Sequence, residues 1–355
     1  MKDVYEVNTR LDFARKLIVE TDVALMTIAR TAGFRSLRHF NDAFQKRFHR
    51  PPSQLPRVRS NGDGTHGIDL KLSFSLPYDW RTIMRFYQTH PIPEVETSGK
   101  TFFERIFRLG NTVGSFRVQA MPGAPHLNVR IVTENPKILF DVVSRVRRMF
   151  DLDLDPRLIA SSFARVPLLA KLYKRFPGLR LPGAWDGFET AVCSILGQLV
   201  SAEQRVQLVG QLVRSYGEEI VHPVSRGNVR LFPRPQILAR ADLGEVKTTI
   251  ARKEAIRDFS RRVMSGAISF SETQDPVAFR KALLETTGLG PWSAEYISLR
   301  AIGDTDAFPK TDLILKRALE IHPGLDLELI RPWRAYAAIY LWKEFAQTLS
   351  KRNKT

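Results

Sequence analysis

The chain has 355 residues, 43% of them hydrophobic, so it is long enough for two or three domains and apolar enough to pack their cores, which excludes a disordered protein. Lys and Arg number 54 against 37 Asp and Glu, a formal charge of +17 that points to a polyanionic partner, nucleic acid or an acidic membrane. No apolar run reaches the roughly 18 residues of a membrane span, and Asp3, Glu6, Asp12, Glu20 and Asp22 leave no signal-peptide core, so a cytoplasmic, nucleoid-associated protein is expected. The single cysteine, Cys193, excludes an intramolecular disulfide framework, a four-cysteine iron–sulfur cluster and a cysteine-rich zinc site; in AVCSIL it reads as a small buried hydrophobe.

Residues 10–56 read as helices broken at Gly33 and stopped by Pro51, Pro52 and Pro56. RSNGDGTHG, polar and glycine-rich, reads as a linker, which places a front domain at 1–58 and the linker at 59–68. In 69–155 the runs LKLSFSL, SFRVQAM and HLNVRIV alternate as strands. A helix is expected near Trp80, and another where Ile138, Leu139, Val142, Val143, Val146 and Met149 share one face. Strand signals fade beyond Asp155, so 156–350 is expected to be all helical. The fold class is therefore mainly α with one α+β subdomain.

The front stretch TDVALMTIARTAGFRSLRHFNDAFQKRFHRPPSQL has the layout of a helix-turn-helix, with Gly33 and Phe34 at the turn and Leu37, Phe40, Phe44 and Phe48 inward. The outward face carries Arg35, Arg38, His39, Asp42, Gln45 and Lys46, which suits a major groove; the plainer reading is a helical hairpin with solvated charges. With ARTAGF at the turn and PPS at the end, it resembles the second helix-turn-helix of AraC-type regulators, which implies DNA contacts at Arg35, Arg38 and His39. Only one unit is visible, and His49 stands where that family usually has glycine.

The most informative stretch is LLETTGLGPWSAEYISLRAIGDTDAFPKTDLILKRAL, a helix, the tight turn Gly288-Leu289-Gly290, a second helix opened by Pro291 and Trp292, and then Asp312. Glycines and the N–H groups of a helix start can hold a phosphate without reading sequence. Taken singly, such a turn is an ordinary helix connection and such an Asp a helix cap. GLGPWSAEY followed by Asp312 resembles the helix-hairpin-helix glycosylase superfamily. LPYDW, LPGAWDGFETAVCSILGQLVS and RPWRAYAAIYLW extend the resemblance to the AlkA-type 3-methyladenine DNA glycosylases from Leu70 to Lys343. The family implies an α+β subdomain like half of a TATA-binding protein and two helical domains with the active-site cleft between them.

Carried onto this chain, the resemblance makes Asp312 the catalytic carboxylate, which stabilises the oxocarbenium-like sugar and orients water. Asp304 and Asp306 are the rival acids, off the family position. Trp292 stands where bifunctional members have a nucleophilic lysine, so base release without strand cleavage is implied. Trp292 and Tyr296, four apart on one helix, would stack on a cationic alkylated base, with Trp333 and Phe86 as further pocket positions. Leu199 matches the apolar wedge that fills the gap left by a flipped base, with helical core as its plain alternative; Gln198 would touch the opened duplex. The hairpin Gly288, Leu289 and Gly290 would hold the DNA backbone. No cofactor is required, and the family hairpin implies at most a monovalent cation (Na or K) on the carbonyls of Leu284, Thr286 and Leu289. The expected partner is double-stranded DNA with alkylated bases, bound by a monomer. The competing reading is an Ada/AraC-like regulator of the alkylation response whose glycosylase part is a sensor; a silent binder would have lost the acid, and Asp312 is present.

Overall fold

Alternating apolar residues build an antiparallel sheet. In the strands Thr112–Ala120 and His126–Thr133, Phe116 and Val118 face Ile131 and Val129 in register, and all four are at most 1% exposed. Strand Gly67–Ser73 adds to one side, Leu70 opposite Val129, and strand Phe102–Leu109 to the other, Arg105 opposite Phe116. The second of these is invisible to period-two reading because Arg105, Ile106 and Phe107 are buried in succession. The helix Leu139–Met149 carries the expected stripe, with Leu139, Val142, Val143 and Val146 buried.

The computed structural model describes residues 2–20, 24–34, 36–56, 67–271 and 274–352. They divide into a first unit, Met1–Ser73, Thr101–Arg147 and Val221–Val229, and a second, Phe74–Lys100, Arg148–Ile220 and Arg230–Thr355. Gly67 and Ile68, read above as linker, open a strand because their backbones pair with Val132 and Ile131, and that strand ends at Ser73 rather than running through LKLSFSL. The stretch Arg59–His66 lies outside the described residues, as does Arg35.

In the first unit the helix Lys2–Glu20 packs against the strand Gly67–Ser73, and the helix Leu25–Thr31 against the turn Pro136–Ile138. Gly33 makes the turn with φ +81, and Ser36 caps the helix Leu37–Phe48 by accepting the His39 N–H at 3.2 Å. Phe40 and Phe44 are fully buried, with Phe34 edge-on to Phe40 at 5.3 Å. Arg38, His39, Asp42, Gln45 and Lys46 are exposed. Phe48 is only half-buried, and the guanidiniums of Arg15 and Arg47 lie 5.3 and 5.4 Å from its ring centre, Arg47 held by Asp12 at 2.6 Å. His49 ends the helix left-handed at φ +57, a conformation glycine adopts freely and that costs a histidine about 1 kcal/mol.

The second unit is mostly helices, up to the 19-residue Arg334–Arg352, and chain polarity starts many of them. The range 156–350 is not all helical as expected, because Glu219–Val221 and Asn228–Arg230 form two three-residue strands in it. Asp79, Asp155, Asp186, Ser201, Thr249, Asp275 and Asp312 each accept a backbone N–H of the turn that follows. One core gathers Phe163, Leu169, Leu172, Leu315, Tyr336 and Tyr340. Cys193 is buried on the apolar helix Gly187–Leu196.

Candidate active site

Asp312 stands at the start of the helix Leu313–Ile321 with extended backbone, φ −60 and ψ 133. Its Oδ1 accepts the N–H of Ile314 at 3.0 Å and of Leu315 at 3.2 Å, so it does cap that helix. The same oxygen accepts the indole N–H of Trp342 at 3.0 Å, and Oδ2 accepts that of Trp292 at 3.0 Å. Four donors on two oxygens orient the carboxylate at the wall of a pocket of about 400 Å³. That volume lies in the usual range for small-ligand sites.

Trp292 and Tyr296 stack with ring centres 4.9 Å apart and planes 9° from parallel. A π-helical turn, Ser298–Ile302, follows their helix Pro291–Ile297 and carries Arg300, whose guanidinium lies 5.9 Å from the Tyr296 ring and 3.7 Å over Phe86. His90 stacks on Phe86 at 4.5 Å and 15°. Two groups that close cannot share a face, so Phe86 lines the pocket with both faces covered and offers a flipped base only its edge. Burial, and then the charge of Arg205, pulls the His90 pKa down to about 4, which leaves the ring neutral near pH 7.

Trp333 is not among the pocket residues. It packs edge-on to Tyr336, 5.8 Å between ring centres, against the core around Phe163 and Leu341. Trp342 takes the place expected of it, on the helix Arg334–Arg352. Trp333 precedes that helix and packs on Tyr336, whereas Trp342 lies within it and reaches Asp312. The signal lay in RPWRAYAAIYLW, where the second tryptophan, not the first, follows the apolar spacing of Ile339 onto the pocket. Asp304 and Asp306 stay out of the pocket, the first bonded to Arg280, the second to Arg331 at 2.8 Å and Arg334 at 2.9 Å.

Leu199 is fully solvent-exposed at 101% and left-handed at φ +53, so it is no part of the helical core. The loop beneath it is tied down: Gln198 Nε2 donates to Gly288 O at 3.0 Å and Ser293 Oγ at 3.1 Å, and Arg252 donates to Gln198 O. Gln198 thus joins the loop of Leu199 to the hairpin rather than extending its amide nitrogen outward. In the hairpin, Gly288 needs to be glycine, with φ +78 and room for a Cβ only 3.0 Å from Ala255 Cβ. Gly290 does not: its φ is −98, and a Cβ would meet nothing within 4 Å. Leu289 is buried, and Asp258 accepts the Thr287 N–H at 3.0 Å.

Residues 69–186 match the AlkA N-terminal domain, and residues 7–57 match a helix-turn-helix domain. The chain is 30% identical to DNA-3-methyladenine glycosylase 2 of Escherichia coli strain K12 over 283 residues, 76% of this chain and 95% of that protein. The chain belongs to the AlkA-type 3-methyladenine DNA glycosylase family. The AlkA-type match runs through the front segment too: a probable bifunctional transcriptional activator/DNA repair enzyme AlkA of Mycobacterium tuberculosis strain ATCC 25618 / H37Rv is 30% identical over 352 residues, 94% of this chain and 69% of that protein. The fold is shared with the Archaeoglobus fulgidus 3-methyladenine DNA-glycosylase, TM-score 0.64 at 18% identity over 77% of this chain and 96% of that one. It is shared also with the Clostridium acetobutylicum 8-oxoguanine glycosylase/lyase, TM-score 0.53 at 19% identity over 72% and 98%. An AlkA-type chain is a DNA glycosylase, a hydrolase of the bond between a base and its sugar. Among the described residues no helix is long and apolar enough to cross a membrane, and no group of three or more His, Cys, Asp or Glu could hold a metal ion.

Proposed function

We propose that the chain releases alkylated bases of the 3-methyladenine and 7-methylguanine type from double-stranded DNA without cutting the strand, as a cytoplasmic monomer. The observation that carries this is the Asp312 carboxylate, held between the indoles of Trp292 and Trp342 at the edge of an aromatic pocket. As the C–N bond breaks, the sugar gains positive charge and the carboxylate faces it; the attacking water gives up its proton on the same side. A base alkylated at a ring nitrogen is cationic, and the Trp292–Tyr296 stack attracts it by roughly 0.5–2 kcal/mol. Strand cleavage would need an amine; position 292 is Trp, and among the described residues no lysine lines the pocket.

The base reaches Asp312 only by leaving the duplex. Leu199, exposed on an anchored loop, fills the gap, and the hairpin at Gly288 holds the backbone alongside. A monovalent cation fits the same reading, since Leu284, Thr286 and Leu289 offer neutral carbonyl oxygens at a helix end, and Thr286 O accepts the Leu289 N–H at 3.1 Å with a second lone pair left over. The reading of the front segment as an accessory DNA contact is supported by the exposed basic face of Arg38, His39 and Lys46. A regulator with a glycosylase sensor is the second reading, favoured by that face and by the alignment with the M. tuberculosis activator. The test is release of free base from methylated duplex, followed by alkali to reveal abasic sites. Asp312→Asn should lose most release while keeping DNA affinity within a few-fold, and near-normal turnover by the folded variant would remove the acid from the mechanism.

A further inference from the structure

The helix Leu313–Ile321 carries its charges against its own stability. A helix start is partly positive and a helix end partly negative, so acids suit the first turn and cations the last. Here no acid follows Asp312 in the first turn and no cation stands in the last, while Lys310 lies just ahead of the start and Lys316 and Arg317 sit mid-helix. All three cations are exposed, and none has an ion pair or a side-chain hydrogen bond among the described residues. The acids of the preceding loop are taken by other arginines, Asp304 by Arg280 and Asp306 by Arg331 at 2.8 Å and Arg334 at 2.9 Å. Glu320, one turn on, pairs with neither Lys316 nor Arg317.

Leu313 is anomalous in the other sense. The residues on either side of it, Asp312 and Ile314, line the pocket, yet Leu313 is 81% exposed. Leu313, Lys316 and Arg317 are three and four residues apart and so share one face. A bare leucine and unpartnered cations thus meet at the rim of the pocket, beside the acid. A surface that satisfies both must alternate anionic and apolar groups, and a DNA strand does, with its phosphates and deoxyriboses.

The site also names the strand. Asp312 acts on the sugar of a flipped nucleotide, which stays joined to its own strand through a phosphate on each side. Those phosphates must pass the residues that flank Asp312, and Lys316 is one helical turn from it, about 6 Å along the axis.

We propose that the outer face of this helix is a second DNA grip, in which Lys310, Lys316 and Arg317 neutralise phosphates of the lesion strand and Leu313 packs on the deoxyribose next to the flipped one. This rests on the glycosylase reading above, because that reading brings the strand to Asp312. The grip differs in kind from the hairpin at Gly288, which offers neutral N–H groups. Contacts made by full charges release counterions and weaken steeply with salt.

The experiment titrates a labelled duplex holding one tetrahydrofuran abasic-site analogue with the full chain over a series of salt concentrations. The proteins are the wild type, Lys316→Gln with Arg317→Gln, and Leu313→Ala. A control of equal charge, Lys171→Gln with Lys174→Gln, changes exposed lysines of the helix Pro167–Arg175, which contributes nothing to the pocket. Each neutralised phosphate adds roughly 0.9 to the slope of log affinity against log salt, so the Lys316/Arg317 variant should flatten that slope by about two and bind ten-fold or more weakly at low salt. The control should flatten it by less than half as much. Leu313→Ala should bind several-fold more weakly at every salt concentration with the wild-type slope. Lys310→Gln removes a cation that the helix start repels, so it should keep or raise the melting temperature while weakening DNA binding. A Lys316/Arg317 variant with the wild-type slope, or a control that flattens it equally, overturns the grip, and Leu313→Ala binding as the wild type does strikes the leucine from it. Release of 7-methylguanine from methylated duplex by the wild type is measured alongside. Its absence overturns the glycosylase reading, whereas normal release with unchanged slopes overturns the grip alone.

Discussion

The indole of Trp342 donates to Oδ1 of Asp312 at 3.0 Å across 30 residues of sequence, from the helix that closes the described chain. A hydrogen bond to a charged group is worth about 1.5–3 kcal/mol, so Trp342→Phe should slow single-turnover base release by roughly ten- to hundred-fold. If the indole acts through the carboxylate, adding Trp342→Phe to Asp312→Asn should cost little more. Additive losses in that double-variant cycle would give Trp342 a role of its own.

Leu199 sets stability against activity. Its left-handed backbone disfavours any side chain with a Cβ, by about 1 kcal/mol, and its exposed side chain has no packing to lose. Leu199→Gly should therefore raise or keep the melting temperature while slowing excision from paired duplex more than from a mismatched site, where extrusion is cheaper. An equal slowing on both substrates would remove the wedge role.

The hairpin glycines should separate cleanly. Gly288→Ala meets a left-handed φ and the Ala255 methyl at 3.0 Å, so it should lose about 1–2 kcal/mol of stability and weaken DNA binding. Gly290→Ala, with ordinary φ and open space, should fold as the wild type does. Thermal melts and DNA titrations of the two variants check this, and a Gly290→Ala loss as large as that of Gly288→Ala would contradict it.

Asp151 gives a pH signature. Burial raises its pKa from 3.8 to about 7, although the Leu181 N–H at 3.0 Å and the Tyr336 hydroxyl at 3.0 Å bond to it. The folded state thus holds the proton more tightly than the unfolded chain, so this group's stabilisation is complete below pH 3.8 and is lost as pH rises through about 7. Asn mimics the protonated acid, so Asp151→Asn should gain melting temperature relative to wild type as pH climbs from 5 to above 7. His90 runs the other way: lowered from 6.5 to about 4, it contributes stability above pH 6.5 that is lost as pH falls toward 4. A variant-minus-wild-type difference that is flat across this range would mean Asp151 does not titrate as placed.

Local chemistry was legible in the sequence. The cap at Asp312, the turn at Gly33, the period-two strands and the helical stripe of Leu139 to Met149 all follow from residue types and spacing alone, because each is decided by neighbours within a turn or a pleat. The Trp292–Asp312 pairing was legible too, but only through resemblance; by spacing alone Asp312 reads as a cap, and it is one. The strand Phe102–Leu109 was not legible, since successive buried residues erase the alternation. The rest required the tertiary structure. Periodicity says which face of an element is apolar and nothing about what that face meets. So the choice of Trp342 over Trp333, the covering of Phe86 by Arg300 and His90 and the exposure of Leu199 were decided only when segments far apart in sequence packed around one pocket.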